Sequence, residues 1–386
     1  MNVSSAIQDL KKGYLNKAKS AIDAACVHES TKDDAKTWCY AGLIYSRIGG
    51  EAANPKSKFK DLDPNWCEKA LNAANRCKEL DKENEFSTQN NEVFRFVGND
   101  FYSRAVTAFN DEKDYAKAMN LAEQSVKIFT NSGDKKFAND AYYLAGLSAK
   151  VTKDTNNMIK YFKILVRGKY DKEDVYNTLF NIYKEKNENE EAIKVANSFN
   201  KAYPNNFNSN LLLAKAYFLN GNVEKGREMI NSALANAKDK PEYSQVVNLS
   251  ANIFETNNDY EGAERLYNES LTFNPNQFDA NFGMGIMIFN RGADKKNAAN
   301  AVPLDDETGL NQKLEDEAKG FFRQSISYFQ AALNYVDNLT DENQKQMQRK
   351  NQYECLKALK QVYAQLEMYA EGNAIKQRMS EIEKAQ

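Results

Sequence analysis

The stretch Tyr176-Asn177-Thr178-Leu179-Phe180-Asn181-Ile182-Tyr183, followed at fixed distances by Ala192, Ala196 and Pro204, decides the fold. Large apolar side chains fall three, four and seven positions apart, the spacing of one helix face. Asn187-Glu188-Asn189 then interrupts the pattern with turn-forming residues, and a second helical period begins. The same arrangement recurs as Thr37-Trp38-Cys39-Tyr40-Ala41-Gly42-Leu43-Ile44-Tyr45 and as Val247, Ala251, Phe254, Ala263, Tyr267 and Pro275.

Two columns fix the period. The residue four after the first large one reads Gly42, Val106, Gly146, Phe180, Ala214, Ala251, Gly285, and from Gly146 onward the steps are 34, 34, 37 and 34 residues. A column in the following helix reads Ala18, Ala70, Ala118, Met158, Ala192, Gly226, Ala263, Ser325, again stepping 34, 34 and 37 from Met158 to Ala263. Small residues belong where paired helices cross, because a large side chain there forces the backbones apart. Asn220-Gly221-Asn222 and the turn ending at Asp259 separate paired helices, and Pro204 and Pro275 follow helix ends.

The pattern resembles the tetratricopeptide repeat, a 34-residue helix pair with the signature W-x2-L-G-x2-Y, A-x3-F, P. The resemblance rests on Trp38/Gly42/Tyr45, on Tyr176/Leu179/Tyr183/Ala192/Pro204 and on Ala251/Phe254/Ala263/Tyr267/Pro275. Phe180 and Gly226 depart from it, and the first copy shows only its second helix, from about Tyr14 to His28. The resemblance implies an all-α, right-handed superhelical solenoid of roughly eight or nine antiparallel hairpins over residues 1–386. Two copies are stretched inside a hairpin, at about 49–63 and 291–317, and both insertions are expected on one edge. The second, Gly292-Ala293-Asp294-Lys295-Lys296-Asn297-Ala298-Ala299-Asn300-Ala301-Val302-Pro303-Leu304, resembles envelope-associated tetratricopeptide proteins of Bacteroidetes. That resemblance favours the periplasm or cell envelope, with the cytoplasm as the alternative. The opening Met1-Asn2-Val3-Ser4-Ser5 has neither the basic region nor the apolar run of an export signal.

Composition narrows the function. Apolar residues are 42% and charged residues 27%, with a net charge of −2, which excludes a disordered chain. With 17 Gly and 6 Pro, punctuation is too scarce for many short strands. Acids and bases are interspersed, with no basic block for nucleic acid, and no uncharged run long enough for a membrane span. The five cysteines, Cys26, Cys39, Cys67, Cys77 and Cys355, cannot all pair and read as small buried helix residues.

Chemistry has few candidates. His28 is the single histidine, and Cys26 lies two residues away, a spacing that points the two side chains to different sides of a helix. Asp61-Leu62-Asp63-Pro64-Asn65 opens like a calcium loop, but Trp66 and Asn72 stand where it needs Gly and Glu. The two aspartates are expected to precede and cap the next helix. No phosphate-binding glycine loop is present, so no metal, no cofactor and no catalysis are expected.

The expected function is to hold another protein or peptide. In the family, first helices line the concave groove, which implies inward rows at Leu43, Thr107, Leu147, Asn181, Lys215, Asn252, Ile286 and, four earlier, Cys39, Ser103, Tyr143, Asn177, Leu211, Asn248, Phe282. A third row includes Lys150, Lys184, Phe218, Glu255 and Phe289. Asn177/Asn181 and Asn248/Asn252 are four apart, so each pair shares a face and could grip peptide groups. Tyr143, Phe218, Phe282 and Phe289 are the expected aromatic anchors. The lysine and asparagine set that clamps acidic tails in chaperone-binding relatives does not map onto these rows. A carbohydrate- or cell-wall-associated accessory role and an enzyme seated in the insertions are the alternatives.

Overall fold

The computed structural model describes residues 3–238, 240, 242–303 and 307–384. Met1 and Asn2, and Leu304, Asp305 and Asp306 of the second insertion, lie outside the described residues. Among the described residues there are eighteen α-helices and no strand. The first ten are α1 (Val3–Lys11), α2 (Leu15–Val27), α3 (Ala35–Ala52), α4 (Trp66–Leu80), α5 (Ser87–Asn110), α6 (Tyr115–Asn131), α7 (Lys135–Val151), α8 (Thr155–Arg167), α9 (Glu173–Glu185) and α10 (Asn189–Ala202). The rest are α11 (Phe207–Leu219), α12 (Val223–Ala237), α13 (Tyr243–Thr256), α14 (Tyr260–Phe273), α15 (Phe278–Asn300), α16 (Leu310–Asp337), α17 (Glu342–Gln365) and α18 (Tyr369–Lys384). They form nine successive pairs, in keeping with the repeat count. The chain divides into two compact units, Met1–Phe199 and Asn200–Gln386.

Within each unit a helix packs on its chain neighbours, and the first helix of a pair also touches the first helix of the next. The second kind of contact joins α1 to α3, α3 to α5 and α5 to α7 in one unit, and α11 to α13, α13 to α15 and α15 to α17 in the other. That nearest-neighbour stacking is what makes a repeat array, since no single pair buries its own apolar face.

The turns are built alike. Lys153, Asn187, Gly221 and Asn258 each adopt a left-handed backbone, with φ of 58°, 58°, 72° and 60°. The next amide closes the preceding helix: Asp154 donates to the Ala149 carbonyl at 2.8 Å, Glu188 to Tyr183 at 2.8 Å, Asn222 to Tyr217 at 2.9 Å and Asp259 to Phe254 at 2.9 Å. Asp154, Asn222 and Asp259 then accept from the first turn of the helix that follows, which caps it.

Crossings follow the small-residue columns. A Cβ on Gly146 would lie 2.2 Å from the Phe162 ring, and one on Gly285 would lie 2.8 Å from Phe329, so each ring occupies the space that glycine leaves. Ala18, Ala70, Ala118, Ala192, Ala263 and Ser325 are all buried. Val106 is only half-buried, and the adjacent Ala105 is buried in its place.

The insertions differ in kind. Residues 49–52 complete α3, after which the chain runs in turns to α4, with Phe59 and Leu62 packed on the core. The second insertion is mostly helix. α15 has 23 residues and α16 has 28, against 14 in each of α13 and α14. Lys295–Glu317 at 2.6 Å and Lys296–Glu315 at 2.5 Å tie the lengthened arms together. Asp63 is no simple helix cap. It is 6% exposed, accepts from the Asn65 amide at 2.9 Å and pairs with Lys69 at 2.7 Å and Lys19 at 3.4 Å, which joins α2 to α4.

Candidate functional site

In the first unit, Tyr143 on α7 is half-buried. Its hydroxyl donates to Asp174 on α9 at 2.9 Å, and its ring lies 5.5 Å from that of Tyr170. Burial, with the bond to Asp174, pushes its phenol up to about 12. Tyr143 therefore ties two first helices together, and only part of it is offered outward. On α9, Asn177 is half-buried and Asn181 is exposed. Lys150 reaches Thr178 at 3.2 Å, so this face is a polar surface linking α7 to α9.

In the second unit, three of the expected aromatic anchors serve the core. Phe218 on α11 is 7% exposed. It meets Phe254 edge-on at 6.1 Å and fills the space above Gly226, where a Cβ would lie 2.7 Å away. Glycine in place of alanine at position 226 leaves the space that this ring occupies. Phe282 packs on Phe278 at 5.6 Å and on Phe329 at 5.9 Å, and Phe289 packs on Phe322 at 5.3 Å. α16 supplies Phe329 and Phe322, both beyond the inserted residues, so the regular part of the helix pair covers these two rings.

What remains on α13 is polar. Asn248 is 8% exposed, and among the described residues neither its amide nitrogen nor its amide oxygen has a hydrogen-bond partner. Asn252, one turn on, is exposed, as is Lys215 on α11. Glu255 completes the stripe at 7% exposure. Its oxygens accept from the Tyr267 hydroxyl at 3.1 Å and from the Asn290 amide at 3.3 Å. Burial pushes its carboxyl above the ordinary range, and the two hydrogen bonds offset this only in part. Asn252 lies beside the same Tyr267 oxygen. Tyr267 threads to this position from α14 past Gly283, where a Cβ would sit 2.4 Å from its hydroxyl oxygen. The expected rows named Asn248, Asn252 and Glu255, but nothing in the sequence pointed to Tyr267 and Asn290 as their partners.

The second insertion also shapes a cleft of about 520 Å³, lined by Tyr260, Arg291, Asp294, Lys295, Glu317 and Phe321 among others. Its charges are satisfied internally. Tyr260 donates to Asp294 at 2.9 Å, Arg291 pairs with Glu264 at 3.0 Å and lies over the Phe321 ring, and Lys295 pairs with Glu317. All five cysteines are free thiols. Among the described residues no three of His, Cys, Asp and Glu gather as a metal site, and no helix is long and apolar enough to cross a membrane.

Comparison with known proteins follows this geometry. The family model described as tetratricopeptide repeat matches residues 183–249. No curated protein matches the chain. Among solved structures, a tetratricopeptide repeat protein from Parabacteroides merdae is 12% identical over 69% of this chain and 98% of its own, with a TM-score of 0.41. Yeast Tom70 is 13% identical over 97% and 88%, at 0.34, and the human IFIT1 dimer is 14% identical over 98% and 80%, at 0.32. A stacked-hairpin fold of this build is consistent with an interaction scaffold. Residues 183–249 thus match the tetratricopeptide repeat, and helix pairs joined by the same left-handed turns accompany them in each unit.

Proposed function

We propose that this chain is a scaffold that holds an extended segment of another polypeptide against its first helices and catalyses no reaction. The observation that carries this is the polar stripe of α13, where Asn248, Asn252 and Glu255 recur on one helix face between α11 and α15. A side-chain amide both donates and accepts, so it can bind a peptide group without reading its side chain. Asn181, on the exposed face of α9, offers the same chemistry in the first unit. A placement in the cell envelope rests on the resemblance at 292–304, and fractionation of the native source would test it.

The test is a selection of random peptides on the intact chain, followed by titration of an enriched peptide into Asn252→Ala and Asn181→Ala. Binding should weaken in at least one variant with helicity unchanged by circular dichroism. Undiminished binding in both would remove the asparagines from the reading.

A further inference from the structure

Glu255 is a carboxylate almost out of water whose hydrogen-bond donors among the described residues are neutral, the Tyr267 hydroxyl and the Asn290 amide. Among the described residues no lysine or arginine pairs with it, and Arg291, next to Asn290, turns to Glu264 instead. A buried carboxylate without a cation is poorly compensated, because neutral donors do not replace lost hydration of a full charge. Seven residues earlier on the same stripe, Asn248 is more than nine-tenths buried with both amide atoms unpartnered. Folded chains seldom leave such groups unmet. Here the unpartnered Asn248 and the cation-less Glu255 flank the exposed Asn252 on one helix.

The surroundings hold the carboxylate in a fixed orientation. Tyr267 fixes one oxygen and Asn290 the other, from two different helices, and glycine at 283 leaves the opening through which Tyr267 arrives. Side chains seven apart on a helix are separated by about 10 Å along its axis. That matches about three residues of extended chain.

We propose that this stripe is a subsite for a lysine or arginine side chain of a bound polypeptide. The cation pairs with Glu255, and Asn252 and Asn248 take peptide groups about one and about three residues to one side. The inference rests on the peptide-holding function and specifies its partner: an extended segment with a basic residue at one fixed register. Charge complementarity supports it, since a single cation supplies the group that Glu255 lacks.

Random dodecapeptides displayed on phage are to be selected on the full chain and on Glu255→Gln, and an enriched peptide titrated into both by fluorescence polarisation. Peptides enriched on the natural chain should share one basic register that Glu255→Gln loses. The enriched peptide should bind the variant about tenfold more weakly, the loss expected for one charge-assisted contact. Replacing its basic residue with norleucine should cost the natural chain as much and cost the variant almost nothing, which isolates the pair. Enrichment with no basic register, or an equal norleucine effect on both proteins, overturns the inference and leaves peptide holding intact. No enrichment at all overturns both. Spermidine binding as tightly as the peptide would make this a site for free amines and overturn the polypeptide assignment.

Discussion

The phenol of Tyr267 on α14 donates a 3.1 Å hydrogen bond to the carboxylate of Glu255 on α13, twelve residues earlier in the same hairpin. The bond holds an acid whose folded-state pKa burial raises above its ordinary value of 4.5. Between 4.5 and that raised value the folded chain binds more protons than the unfolded one, so stability falls as pH rises through the window. Glu255→Gln keeps the shape and removes the buried charge. It should melt higher than the natural chain at pH 7, by about 2–4 °C for each kcal/mol regained. Calorimetry at stepped pH should show the gap closing as pH falls through that raised value toward 4.5. A lower melting point at pH 7 would mean that the carboxylate stabilises the fold.

Asn248 gives a second stability test. Its amide is buried with no partner, a cost on the order of 1–3 kcal/mol. Asn248→Leu should raise the urea midpoint accordingly. A fall would show that the amide is hydrogen-bonded after all. Gains at both Asn248 and Glu255 would mark residues retained for something other than folding.

Two glycines should respond to alanine with opposite signs. Alanine favours a helix over glycine by about 1 kcal/mol. At Gly320 on α16 nothing lies within 4 Å of the added Cβ, so Gly320→Ala should stabilise by up to that amount. At Gly146 the Cβ would fall 2.2 Å from fully buried Phe162, and overpacking costs about 1–3 kcal/mol. Gly146→Ala should therefore be the destabilising one, and trimming the ring with Phe162→Leu should recover part of the loss. Equal shifts in denaturant midpoint would contradict the crossing geometry.

Asp63 predicts the acid behaviour of the first unit. Burial alone would raise its carboxyl, but the Lys69, Asn65 and Lys19 contacts outweigh it and hold the group below 3.8. Its stabilising contribution is present above that value and is lost as pH falls through the depressed folded pKa. Asp63→Asn should cost roughly 1–3 kcal/mol at pH 7. The difference from the natural chain should shrink below about pH 4. A pH-independent difference would place the cost in packing instead of charge.

The repeat spacing was legible because the small residues at crossings answer to backbone distance, which the sequence displays directly. The turns at Asn187, Gly221 and Asn258 were legible because those residue types tolerate a left-handed backbone. Lys113 and Lys153 adopt it too, at 57° and 58°, and lysine gives no such signal. The inward rows were harder to read. Phe218, Asn248 and Glu255 occupy groove positions by periodicity, yet all three are buried: Phe218 lies against Gly226 and Phe254, and Tyr267 and Asn290 close on Glu255. Which face a neighbour covers depends on contacts dozens of residues apart. The reach of Tyr267 past Gly283 is of that kind, and so is the cover that Phe329 and Phe322 of α16 give Phe282 and Phe289.

The left-handed turn residues Lys153, Asn187 and Gly221 stand 34 positions apart, and each turn is sealed by a main-chain bond reaching back only five residues. Every such segment thus brings its own closure and needs nothing from a distant part of the chain to finish a helix. A gene encoding it can gain or lose length in whole segments, with breakpoints at any matching pair of positions, and still specify closed hairpins. Growth by duplication leaves the columns in register while the faces between them diverge, so new binding chemistry can arise on a copied segment without rebuilding the array.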